Sequence, residues 1–404
     1  ARANAKDTLA RTSRTLAAVR AMQNAARNAA INGANNLGAN PKNPRINLPN
    51  VPNGLGVGGL QVAPGVGTDP TKWAGAELPV QTVSGGDTTV TIKQTGLQAL
   101  LNWETFNVGK KTTVNFDQSI GGANAAQLVA FNQINDPSGN PTQILGSIRA
   151  DGQIYLLNRN GVIFGGSSQV NARGLTVSSL PINENLIGPG LLNNPDAQFL
   201  FSGLDLPAGT NGTPAFTPEK PLTSDGKYGD VIVQRGAVLT SPSNAAKVGG
   251  RITLVGPNVV NEGIILTPDG QAIIAAGLQV GFSAHSGNDP SLRGLDVYIG
   301  SVTDPAAGLY AGYATQDGLI ESLRGSIVIA GREINQLGIL ESSTSVALNG
   351  RIDLLAHYGA VRNPDFSSTN SAAGSPFIYQ NSGVVGHGEG SIIRILPEYD
   401  SGEK

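Results

Sequence analysis

The 404-residue chain has no cysteine and a single methionine, Met22. Structural disulfides, thiolate nucleophiles and cysteine-ligated zinc sites are therefore excluded. A chain that crosses an oxidising periplasm unfolded has a physical reason to carry no thiol, because a premature cross-link would arrest it. Aromatic residues make up only 5% and charged residues only 14%, against 39% hydrophobic. That balance excludes wholesale disorder, which requires low hydrophobicity and high net charge. No apolar run approaches the ~18–20 residues of a membrane-spanning helix. With a net charge of −2, a globally basic nucleic-acid binder is not expected.

What is abundant is glycine, at 54 positions, well above the usual ~7%. With Asn, Thr and Val it argues against a long helical bundle and for a β-rich, turn-dense chain. The ends differ from the body. Eight basic residues (Arg2, Lys6, Arg11, Arg14, Arg20, Arg27, Lys42, Arg45) and one acid, Asp7, fall within residues 1–50. Residues 1–32 read as a cationic, Ala-rich helical extension, with Leu9, Leu16, Val19 and Met22 at loosely helical spacing. Residues 33–79 read as a Pro/Gly/Asn-rich linker. The chain opens on Ala1 rather than methionine, as a secreted protein freed of its signal peptide would.

From about residue 80, short aliphatic strands alternate with Gly and Asn. Val231-Ile232-Val233, Ile252-Thr253-Leu254 and Ala272-Ile273-Ile274 follow one another at a spacing of about 20. Ser326-Ile327-Val328-Ile329 and Arg351-Ile352-Asp353-Leu354 continue the series. A second element, polar residues, then Gly, then two aliphatics, recurs at Asn261–Ile265, Gln316–Ile320, Gln336–Leu340 and Asn381–Val385. The fixed Leu ladder of leucine-rich repeats is missing, and a propeller blade needs about 40 residues. The expected fold is all-β: a right-handed parallel β-helix of roughly ten to twelve coils with an N-terminal β cap, its bends made by Gly and Asn. The cap is expected at 80–120 and the solenoid at 121–404. Segments 183–228, 284–312 and 361–380 are expected as extruded loops or hairpins. The run Ile392–Ile395 near Lys404 has no evident cap, which suggests a fragment with further activity beyond it.

Two stretches carry a family likeness. Asn102-Trp103-Glu104-Thr105-Phe106-Asn107-Val108-Gly109 precedes Val114–Gln118, and Ala150–Leu156 precedes Asn158-Arg159-Asn160-Gly161-Val162-Ile163-Phe164-Gly165. From roughly residue 80 onward this ordered series resembles the N-terminal secretion domain of filamentous-haemagglutinin-like exoproteins of two-partner secretion. The resemblance implies a right-handed β-helix with an N-terminal cap, at the front of a longer adhesive or toxic passenger. It implies export by a cognate outer-membrane β-barrel transporter whose periplasmic POTRA domains recognise the chain, which then lies outside the cell or at its surface. The family's Asn-Pro-Asn-Gly-Ile motif maps to Asn158, Arg159, Asn160, Gly161 and Val162, with Arg159 in the proline's place. Its Asn-Pro-Asn-Leu motif has no match; Leu128–Ile134, with Asn132, is nearest in position. Asn102, Trp103, Phe106 and Asn107 form the signature of a subgroup.

Asn-Gly is a tight-turn dipeptide, so 158–161 also reads as a solenoid bend. Trp103 and Phe106 suit the junction of cap and solenoid. Catalysis is not expected. Gly386-His387-Gly388 looks like a polygalacturonase motif, but the accompanying Asn-Thr-Asp and Asp-Asp strings are absent. His285 and His357 belong to no zinc pattern, and the Gly54, Gly56, Gly59 spacing follows no strand, so it is not a dinucleotide site. No cofactor is expected. The alternative to a secretion module is a carbohydrate-binding adhesive β-helix, with an exopolysaccharide or host-surface glycan as partner of the full protein; a polysaccharide-cleaving enzyme ranks third.

Overall fold

Runs of two or three β-branched residues followed by Gly or Asn cannot sustain a helix, but they suit short strands with a bend at each end. The structure, a computed structural model, describes residues 50–182, 228–284, 294–304, 309–346, 348–363, 365 and 377–398. Their strands wind into a parallel β-helix with three sheets. The first sheet stacks Asp87–Lys93, Thr112–Asp117 and the front halves of Ser147–Asn158 and Gln169–Ser178. It continues through Val238–Thr240, Ile264–Leu266, Leu319–Ser322, Ile339–Thr344 and Ile392–Pro397. The second stacks Gln98–Phe106, Val129–Ile134 and the rear halves of the same two long strands, then Arg251–Gly256, Gln271–Ala276, Ser326–Ala330 and Arg351–Leu355. The third runs from Thr142–Ile144 through Val162–Phe164, Val231–Val233, Asn258–Asn261, Tyr313–Gln316 and Glu333–Gln336 to Val384–His387.

The inward residues form one apolar core along the axis, including Val90, Ile148, Phe164, Val177, Leu254, Ile274 and Ile329. Pairing is in register over whole rungs: Ile252, Ala272, Ile327 and Ile352 lie above one another. The corner between third and first sheets is a glycine ladder. Gly318 and Gly338 donate their N–H groups to the carbonyls of Asn261 (3.0 Å) and Gln316 (2.9 Å). Inside that corner Asn261 Nδ2 donates to Gln316 Oε1 at 2.7 Å, and Gln316 Nε2 to the Gly318 carbonyl at 2.8 Å. These amides are fully buried, and such a site demands the partners they find.

The described insertions leave the stack at one corner, between the second and third sheets. Val280–Ala284 pairs antiparallel with Leu295–Ile299, Thr303–Asp304 with Leu309–Tyr310, and His357–Arg362 with Phe377–Ser382. The first hairpin covers the second sheet's outer face, setting Val280, Phe282, Val297 and Ile299 against Ile273, Ala275, Val328 and Ala330. With both faces covered, Gln271–Ala276 is buried along its entire length, and a sheet strand covered on both sides reads as a continuous apolar run.

Several expectations need correction. The stretch read as linker, 33–79, is part of the cap from Val51 onward. Leu60–Val62 and Trp73–Ala74 pair antiparallel with Gln98–Phe106, and Leu60 and Trp73 are buried. Its prolines and glycines supply turns between apolar anchors. Parallel stacking already begins at Asp87, inside the segment expected to be cap only; the antiparallel hairpin Val80–Ser84 with Asp87–Lys93 precedes it. Among the described residues the first sheet stacks nine strands, the second eight and the third seven, below the expected ten to twelve coils, because hairpins and turns take up chain between the rungs. Hairpin arms begin at Val280 and His357, ahead of the expected 284 and 361, since their aliphatic alternation imitates a rung. Val231–Val233 belongs to the third sheet, not to the second with Ile252. Likewise Asn381–Val385 sits at a different corner; the ladder's next rung is His387-Gly388, where Gly388 N–H donates to the Gln336 carbonyl at 2.8 Å. The helical extension 1–32, His285 and residues 183–227 lie outside the described residues.

Candidate functional site

The signature residues sit where cap meets solenoid. Gln98–Phe106 carries cap strands on one edge and the parallel strand Val129–Ile134 on the other, so its inward side chains fill the junction. Trp103 is completely buried, edge-on to Trp73 (5.2 Å) and to Phe106 (5.0 Å). Its indole Nε1 donates to Asn132 Oδ1 at 3.0 Å, and Asn132 Nδ2 donates to the Tyr155 carbonyl at 3.1 Å. Asn102 Nδ2 donates to the Lys72 carbonyl at 2.8 Å. Asn107 reaches both ways: its Nδ2 donates to the Gly58 carbonyl (3.1 Å) and its Oδ1 accepts from Gln143 N–H (2.8 Å). All four residues tie the cap strands to the first coils.

The turn Asn158–Gly161 forms the corner between Ser147–Asn158 of the second sheet and Val162–Phe164 of the third. Asn158 is buried; its Nδ2 donates to Thr142 Oγ1 at 2.9 Å, and its Oδ1 accepts from Asn160 N–H at 3.0 Å. Asn160 Nδ2 donates to the Asp136 carbonyl at 2.9 Å. Gly161 adopts φ +98, and a Cβ there would stand 2.6 Å from the Asp230 carbonyl oxygen; only glycine satisfies both constraints. Val162 is fully buried in the core, and its N–H donates to the Asp230 carbonyl at 3.1 Å. The Arg159 carbonyl accepts from Gly229 N–H at 2.9 Å, and its guanidinium carbon lies 5.7 Å from the centre of the Tyr228 ring. Asn158 and Val162 face inward, while Arg159 and Asn160 remain partly open to solvent.

Three residues at these sites escaped the sequence reading: Trp73, Asn132 as the indole's acceptor, and Asp230. The signal for Trp73 was its rarity, since the chain has two tryptophans. Asp230 became visible only when the fold brought it beside Gly161. Burial pushes the Asp230 carboxyl above its ordinary range, offset in part by Asn258 Nδ2, which donates to Asp230 Oδ1 at 3.0 Å. A carboxyl raised in the folded state holds its proton more tightly there than in the unfolded chain. Stability therefore increases as pH falls through the folded value toward the unfolded one, and that gain is lost as pH rises back through the folded value. Asp230→Asn keeps an acceptor for Asn258 and is expected to raise the urea midpoint at pH 7. Below about pH 4 the variant and wild type should converge. An unchanged or lower midpoint at pH 7 would contradict the burial argument.

His387 lies at the third sheet's last rung, exposed and opposite Gln336. His357 packs its ring 5.4 Å from Tyr379 on the last hairpin. Among the described residues no three His, Cys, Asp or Glu converge as a metal site, and no helix is long and apolar enough to cross a membrane.

The fold is thus a capped parallel β-helix whose cap and first coils are locked by buried Trp103 and by the Asn158–Gly161 corner. The TPS secretion domain model matches residues 65–306, and the chain belongs to that family, the secretion domain of two-partner secretion exoproteins. This is not an enzyme family. Two curated relatives are both named heme/hemopexin-binding protein. The one from Haemophilus influenzae is 36% identical over 90 residues, 22% of this chain and 9% of that protein. The one from Haemophilus influenzae strain ATCC 51907 / DSM 11121 / KW20 / Rd is 36% identical over 104 residues, covering 25% and 11%. The chain thus matches about a tenth of the length of these relatives. Among solved structures, the HMW1 secretion domain from Haemophilus influenzae has a TM-score of 0.47 at 20% identity, covering 70% of this chain and 63% of that one. The filamentous hemagglutinin secretion domain has a TM-score of 0.33 at 12% identity, covering 83% and 99%.

Proposed function

We propose that this chain is the targeting module that leads a larger surface exoprotein through its cognate outer-membrane β-barrel, recognised in the periplasm by the transporter's POTRA domains. The observation that carries the reading is the family match over 65–306, which spans both the signature strand and the Asn158–Val162 turn. In the periplasm the unfolded chain offers strand segments, and pairing at a strand edge supplies sequence-tolerant affinity. Outside, cap and first coils fold and template the next, since each rung bonds only to its neighbours. In this reading the Asn158–Val162 turn serves export by fixing the first complete coils.

The test is co-expression of the chain with and without the candidate transporter, followed by measurement of the chain in the medium. Release is expected only with the transporter; equal release without it sinks the proposal. Asn158→Ala with Asn160→Ala removes three side-chain hydrogen bonds. Because the buried Thr142 loses its partner, folding should weaken by about 1–3 kcal/mol, and export should drop. Unchanged export and an unchanged urea midpoint would remove the turn from the mechanism.

A further inference from the structure

Beside the Asn158–Val162 turn, on the outside of the second-to-third-sheet corner, lies a cavity of about 170 Å³. At ~30 Å³ per water it holds the equivalent of five or six waters, enough for one six-membered ring. Its polar lining comes from Gln133, Asn135 and Arg159, and its apolar wall from Leu157, Pro181 and Ile182. That wall is fixed by Ser178, whose Oγ donates to the Leu180 carbonyl at 2.7 Å and accepts from Leu180 N–H at 2.9 Å.

The polar groups around the cavity divide into two sets. Asn158, Asn160 and Asp230 all spend their side chains on bonds within the corner. Arg159 Nε, by contrast, is buried with no hydrogen-bond partner, and no acid among the described residues pairs with the guanidinium. At the equivalent corner further along, Arg332 lies 4.8 Å over the Tyr313 ring, as Arg159 lies 5.7 Å from the centre of the Tyr228 ring, but Arg332 also donates to the Tyr313 hydroxyl. Gln133 and Asn135, two apart on one side of the chain, make no side-chain hydrogen bond among the described residues. Native proteins rarely leave a buried donor of a cation without a partner.

We propose that this cavity is a binding site for a sugar acid, a uronate-type unit whose carboxylate meets the Arg159 guanidinium. A guanidinium fork matches a carboxylate. The two amides offer donors and acceptors to ring hydroxyls, and the aliphatic wall takes the ring's C–H face, a division of labour usual in small-ligand pockets. The site is independent of the transport reading, because it exists in the folded chain and needs no transporter.

The test uses the purified full chain, titrated calorimetrically with glucuronate and galacturonate, and at equal ionic strength with glucose and acetate. A uronate should bind at least tenfold tighter than glucose or acetate. Arg159→Gln should weaken uronate binding at least tenfold, and Arg159→Lys less. Should Arg159→Gln prove unstable by circular dichroism, Gln133→Ala with Asn135→Ala removes two unbonded amides. That variant should weaken uronate binding while leaving the melting temperature in place. Absent uronate binding, equal binding of glucose or acetate, or full affinity in the variants overturns the proposal.

Discussion

Trp103→Ala is expected to lower the unfolding free energy by about 3–5 kcal/mol, the usual cost of emptying a buried tryptophan site. The site offers little relief by collapse, because Trp73 on the neighbouring strand and Phe106 further along the same strand are held edge-on to the indole. The substitution also strips Asn132 Oδ1 of its donor while Asn132 Nδ2 stays engaged with the Tyr155 carbonyl, so a buried amide is left half-satisfied. Trp103→Phe separates the two contributions: the ring is largely retained, and about 1–3 kcal/mol should still be lost for the orphaned acceptor. Urea unfolding followed by circular dichroism reads both. Trp73 supplies a second readout, since loss of its neighbour should red-shift its emission.

The same variant separates two roles for the signature. If Trp103 serves the junction, stability and export fall together. If it were reserved for the transporter, Trp103→Ala would abolish export and leave the urea midpoint where it was. Complete burial of both Trp103 and Phe106, with the indole bonded to Asn132, predicts the stability loss that marks the first outcome.

The rungs that were legible in the sequence were those whose aliphatic alternation survives without interruption. Ile252, Ala272, Ile327 and Ile352 announce one sheet at spacings of about 20 and 25, and the structure stacks them in register. The Gly-centred element was equally legible at Gly263, Gly318 and Gly338. Legibility failed where different corners share a composition. Val231–Val233 and Val384–Val385 have the apolar content of any rung, yet both belong to the third sheet. Sequence alone does not say which face a three-residue strand joins when an insertion of unknown length precedes it. The cap was misjudged for a related reason. Leu60 and Trp73 are isolated apolar residues among Pro and Gly, and only antiparallel pairing with Gln98–Phe106 shows that they are anchored. At the turn, the residue types of Asn158 and Gly161 were readable, whereas the cavity beside Arg159 depends on which coils come together.

Gly318→Ala is expected to be among the most damaging single-methyl additions in the chain. Gly318 has no positive φ to protect, so the effect isolates packing from backbone strain. A Cβ at this position would stand 2.0 Å from the Gly263 carbonyl oxygen and 2.7 Å from the Glu262 carbonyl carbon. Both atoms belong to the backbone of the preceding rung and cannot swing aside as a side chain would. Relief requires the two coils to part by more than an ångström against a strand spacing of about 4.8 Å, which breaks the Gly318 N–H bond to Asn261 and pulls Gln316 from its amide partner. Overpacking usually costs about 1–3 kcal/mol; with buried hydrogen bonds lost as well, about 3 kcal/mol or more is expected. Gly67, which has open space around it, provides the control, and Gly67→Ala should stay within about 0.5 kcal/mol of wild type. Because each coil is stabilised mainly by its neighbours, the damage should be directional. Coils before Gly263 should remain protected in limited proteolysis, while those after Gly318 become cleavable, and the urea transition should broaden or split. A wild-type midpoint with uniform protection would mean that the glycine ladder does not hold the rungs in contact, and growth of the rod by templating each coil on the last would lose its physical basis.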